Sequence, residues 1–122
     1  LGQEWAFLST IALQGHKMKE LPIPDAAVRD HDNSVEMLRA WIAEGALFCS
    51  LNIGMYVEGT DVREEEAWGT ILADAMRHVA SGLTKRYDRS YQDSLNKMRA
   101  RFIAELDRPT SAATGEFVSG NQ

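Results

Sequence analysis

Two apolar-rich runs, Val35 to Ala43 and Ala46 to Ile53, flank the pair Glu44-Gly45. Folded about that pair, they match residue by residue. Ile42 falls opposite Leu47, Ala40 opposite Cys49 and Leu38 opposite Leu51, so one face is uniformly apolar. On the other face Trp41 meets Phe48, Arg39 meets Ser50 and Met37 meets Asn52. Alternation with period two that agrees across a turn predicts a β-hairpin. A one-residue slip would turn every apolar side chain over, so the register is strongly specified. The competing reading is a helix over Glu36 to Glu44, because Met, Leu, Ala and Glu favour helices.

The following segments carry the period of a helix. Asp61-Val62-Arg63-Glu64 has the spacing of a capping box, with Glu64, Glu65 and Glu66 where a helix N-terminus favours negative charge. Behind it Trp68, Ile71, Leu72, Ala75, Met76, Val79 and Leu83 form an apolar stripe. A second helix is predicted after Asp88 or Ser90, with its stripe on Tyr91, Leu95, Met98, Phe102 and Leu106 and its end at Pro109. Between hairpin and helices, Gly54 to Thr60 reads as a loop with a short third extended piece at Met55-Tyr56-Val57. Upstream, Pro22 and Pro24 impose an extended approach, and Asp25 to Arg29 reads as a single helical turn.

A lone hairpin is marginally stable, so the expected fold is a two-layer α+β domain in which the two helices cover its apolar face. The expected boundaries are 18–108 for this domain and 109–122 for a flexible, Ser/Thr/Ala/Gly-rich tail. Residues 1–17 precede the first methionine, Met18, and are read as a non-native or loose extension.

Charge and cysteine content narrow the function classes. The net charge of −5 opposes a general role on nucleic acid. The cluster Lys85, Arg86, Arg89, Lys97, Arg99 and Arg101 is interleaved with acids and reads as a solvated helical face. With one cysteine, Cys49, neither an internal disulfide nor a thiolate-rich zinc site can form. The three histidines are scattered, and no glycine-rich phosphate cradle follows a strand. Neither a metal nor a cofactor is expected. No apolar run is long enough to cross a bilayer, and a reduced cytoplasmic setting is the simplest expectation.

Several segments together resemble one family: Leu21-Pro22-Ile23-Pro24, Leu38-Arg39-Ala40-Trp41-Ile42-Ala43, Gly45-Ala46-Leu47, Ser50-Leu51-Asn52, Trp68-Gly69, Leu72-Ala73-Asp74 and Arg77-His78-Val79-Ala80. The pattern, spread over Met18 to Asp107, is similar to a family of short bacterial proteins catalogued as a domain of unknown function. The resemblance implies a bacterial, cytoplasmic protein and transfers no activity.

The candidate chemistry is sparse. Asp74 and His78 are one helical turn apart, and a carboxylate that orients an imidazole is half of a general base. The plainer reading is a surface aspartate beside a partly buried histidine. Cys49 is expected on the helix-facing side of the sheet, where a thiol is a small inert hydrophobe. A Cys49–His78 pair is the reactive alternative. Trp41, Phe48 and Met37 lie on the other face, where one covering layer would leave them exposed as an interaction surface. Alternatively the N-terminal segment or Met55-Tyr56 folds over them.

The expected function is therefore a small protein-interaction or adaptor module, homodimeric through its open sheet edges, rather than an enzyme. The alternative is a small enzyme or ligand-binding domain with a site near Cys49, Asp74 and His78. No nucleic-acid or membrane partner is expected.

Overall fold

The computed structural model describes residues 18–111. Expectations for residues 1–17 and 112–122 lie outside the described residues. The protein is α+β: α1 (Asp25–Arg29), β1 (Leu38–Ala43), β2 (Ala46–Leu51), α2 (Met55–Gly59), α3 (Glu64–Tyr87) and α4 (Tyr91–Asp107). It forms two compact units, one ending at Ile53 and the other beginning at Gly54.

In the first unit β1 and β2 pair antiparallel, Leu38 with Leu51 through Ala43 with Ala46. This is the register read from the alternation, and the helix over Glu36 to Glu44 does not form. The amide of Asn52 donates to the carbonyl of Met37 at 3.0 Å and extends the ladder by one pair. Glu44 and Gly45 both have positive φ, 52° and 74°. A two-residue loop of that hand matches the twist of the strands it joins. Glycine adopts it freely, whereas Glu44 does so against its steric preference.

Ahead of β1, the chain is tied back by charge. Arg39 donates to Glu20 Oε2 at 2.7 Å through Nη1 and to Glu36 Oε2 at 3.1 Å through Nε. The two carboxylates, Glu36 foremost, hold the guanidinium pKa above its ordinary value. The Ser34 hydroxyl donates to the carbonyls of Ala27 and Asp30 and closes the end of α1.

In the second unit α3 packs against α4, and α2 against the start of α3. Small side chains occupy the most buried positions. Ala67 and Ala80 on α3 and Ser94 on α4 are buried, Ala80 completely. Backbones can approach closely only where the intervening side chains are short, which selects these residues over the longer ones of the expected stripe. That stripe is accordingly rotated: Ile71, Met76 and Leu83 are half-buried, while Leu72, Ala75 and Val79 are exposed. On α4, Leu95 and Met98 are half-buried, and Tyr91, Phe102 and Leu106 are exposed. Ser90 caps α4 by accepting from the Asp93 amide at 3.2 Å. At the other end Glu105 accepts from both the amide and the hydroxyl of Thr110, at 3.2 and 3.0 Å. The start of the segment read as a flexible tail is thus fastened to its helix.

The expected capping box is replaced by a different device. The N-cap of α3 is Arg63, with no side-chain cap bond, and Asp61 takes no part. Glu64 instead turns to the N-terminus of α2, whose leading amides have no partner inside so short a helix. The piece Met55-Tyr56-Val57, expected to be extended, is the first turn of that helix.

Candidate functional site

Glu64 is the most heavily engaged carboxylate among the described residues. Oε2 accepts from the Gly54 amide at 2.9 Å and from the Trp68 indole Nε1 at 2.9 Å. Oε1 accepts from the amides of Tyr56 and Val57, each at 3.0 Å. These donors, the Gly54 amide first, hold the carboxyl below its ordinary pKa despite partial desolvation. Each donor favours the ionised form. With all four positions taken by the protein itself, Glu64 is a structural fastener between α2 and α3. Sequence reasoning placed Glu64 at a cap but missed which helix it serves. The signal was Trp68 at i+4, one turn along the same face.

Asp74 and His78 do not form the expected pair. Asp74 Oδ1 accepts from Arg77 Nη1 at 3.2 Å. No hydrogen bond joins Asp74 to His78 among the described residues, and His78 is exposed rather than partly buried. The Arg77 pKa is raised above its ordinary value, with Tyr91 at the start of α4 the first cause and Asp74 adding to it. The aspartate therefore engages a guanidinium of its own helix rather than the imidazole. Cys49, expected to be sealed, is exposed. It sits midway along β2, the strand whose residues are exposed throughout. No three His, Cys, Asp or Glu side chains come together as a metal-binding group among the described residues. No helix among them is long and apolar enough to cross a membrane.

The hairpin unit presents the more distinctive surface. Phe48 is 51% exposed, as expected of the outer face. Trp41 and Met37 are half-buried. Trp41 lines a groove of about 630 Å³ bounded by Leu21-Pro22-Ile23-Pro24, Val28 and β1. The proline-stiffened segment therefore forms one wall of the groove that Trp41 lines. On the opposite face Leu47 and Leu51 are 53% and 51% exposed. These two, and the Leu21 to Pro24 wall, are surface residues that sequence reasoning assigned to a core or a linker.

No curated protein gives a significant match. Among solved structures, the chain is similar to one from the photosynthetic bacterium Rhodopseudomonas palustrus CGA009, provisionally named a pyruvate dehydrogenase. It is 27% identical, has a TM-score of 0.63, and the match covers 85% of this chain and 99% of that one. The family described as "Domain of unknown function (DUF5076)" matches residues 20–110, and the chain belongs to that family.

Proposed function

We propose that this protein is a small protein-interaction module of the bacterial cytoplasm that engages its partner through the hairpin unit. One observation carries the reading: no large side chain is fully buried among the described residues, while Leu47, Phe48 and Leu51 stand exposed on a single strand. Burial of apolar area is the dominant favourable term in both folding and association. Large apolar groups exposed on both faces of one strand support a reading in which another polypeptide covers it. The exposed free thiol of Cys49 is in keeping with a reducing compartment. The dehydrogenase name of the solved relative supports no residue assignment here, because Asp74 is engaged by Arg77 while His78 and Cys49 are solvent-exposed.

The test is a photo-crosslinking residue placed at Phe48 and, as a control, at Gln92 on the exposed side of α4, with the protein expressed in a bacterial host. The reading expects adducts to polypeptide at 48 and few at 92. Absence of adducts at 48 defeats it.

A further inference from the structure

The ladder of the hairpin settles which backbone groups β2 leaves unused. The Asn52–Met37 bond marks 37 and 52 as a hydrogen-bonded pair. Hydrogen-bonded and non-bonded pairs alternate in an antiparallel ladder. Ala46, Phe48 and Ser50 therefore turn their amides and carbonyls toward β1, and Leu47, Cys49 and Leu51 turn theirs outward. Among the described residues no other strand pairs with β2.

Edge strands are ordinarily protected by a charge, a proline, a bulge or a covering segment. The stretch from Ala46 to Gly54 contains no charged residue and no proline, and its register runs without a bulge. The two strands differ in this. β1 carries Arg39, neutralised by Glu20 and Glu36, and lines the groove against the Leu21 to Pro24 segment. No residue of β2 lines that groove.

We propose that β2 pairs antiparallel with β2 of a second copy of this chain about a two-fold axis at Cys49. The proposal deepens the interaction reading above by naming the partner and the edge. The outward groups fall at 47, 49 and 51, symmetrically about Cys49. An axis there pairs Leu47 with Leu51 of the partner subunit and Cys49 with Cys49 of the partner subunit, and every outward amide and carbonyl of the strand is satisfied. In an isologous contact residue i meets residue j of the other copy and j meets i, so only a residue on the axis meets its own mate. A strand with charges would bring like charges together under that operation, and β2 has none. The product is a four-stranded sheet, β1-β2-β2-β1, with Leu38, Ile42, Leu47 and Leu51 of both copies on one continuous face. That is above the two-stranded limit of marginal stability.

The full chain tests this without alteration. Cysteines in a hydrogen-bonded pair have Cα atoms about 5.5 Å apart. A short bis-maleimide is therefore expected to convert most of the protein to a covalent dimer through Cys49. A Gln92→Cys, Cys49→Ser variant is expected to stay uncrosslinked. Light scattering over a dilution series is expected to show a dimer at micromolar concentration. Cys49→Pro removes an outward amide and no hairpin bond, because edge positions that face away from the ladder accept proline. It is expected to raise the dimer dissociation constant at least tenfold with an unchanged far-UV spectrum. Cys49→Arg, which places like charges at the axis, is expected to do the same.

A wild-type monomer at every concentration overturns the proposal. So does a dimer that neither crosslinks at Cys49 nor responds to the two substitutions. If the residue at 48 crosslinks only to other proteins while the chain remains monomeric, the second-copy proposal falls and the interaction reading stands. If nothing crosslinks at 48, the interaction reading has failed as well.

Discussion

The amide of Gly54 donates to Oε2 of Glu64 across 2.9 Å, ten positions along the chain. Gly54 has φ 110°, a backbone conformation side chains rarely adopt, and a Cβ there would come within 3.0 Å of Glu58 Oε2. The glycine lets the chain turn into α2, and the carboxylate closes the helix it opens. The Trp68 indole on the same oxygen fixes the glutamate rotamer from one turn further along α3.

Because the folded pKa of Glu64 lies below its unfolded value, the linkage has a definite sign. Its stabilising effect is fully present above the ordinary carboxylate pKa of about 4.5 and is lost as pH falls through the depressed folded value. Glu64→Gln keeps the shape and removes the charge. Thermal unfolding followed from neutral pH to pH 3 is expected to show the wild-type midpoint several degrees above the variant at pH 7, with the gap closing in acid. A gap independent of pH would assign the effect to packing.

The turn offers a gain rather than a loss. Glu44 sits at φ 52° beside Gly45 at 74°. Asparagine tolerates the left-handed region better than glutamate, and Asn-Gly is the favoured pair for such a loop. Glu44→Asn is expected to stabilise the protein by about 0.5–1 kcal/mol. Gly45→Ala meets no atom within 4 Å, so its penalty is purely conformational. It is expected to cost about 1 kcal/mol. Urea unfolding curves with unchanged slope measure both.

Ala80 has no accessible surface. Enlarging it forces α3 and α4 apart. Ala80→Leu is expected to destabilise by about 1–3 kcal/mol, the usual range for overpacking. Calorimetric melting of the variant beside wild type checks this, and Val79→Leu, one position round the exposed side, is the control expected to melt with the wild type.

His78 and Arg77 make a contrasting pair of expectations. His78→Ala removes an exposed ring with no hydrogen-bond partner among the described residues, and is expected to change stability by less than about 0.5 kcal/mol. Arg77→Ala breaks the ion pair with Asp74 and removes the guanidinium beside Tyr91, and is expected to increase amide exchange at the N-terminal turn of α4. Hydrogen exchange of the two variants separates a surface histidine without a partner from an arginine paired with Asp74.

Much was legible in residue order alone, because it depends on neighbours in the chain. Alternation about Glu44-Gly45 dictates the hairpin and its register, since one slip would reverse every face. Ser90 and the spacing of Leu95 and Met98 mark α4, since a cap and a 3.6-residue period are local properties. Tertiary structure alone decided which helix Glu64 serves. The choice lies between two sets of unpartnered amides, and only the folded path brings those of Gly54, Tyr56 and Val57 within 3.0 Å. It likewise decided that Ala80 and not Val79 is fully buried, and that Cys49 stands exposed. Each of these depends on contacts between elements, whose distances and angles no local period encodes.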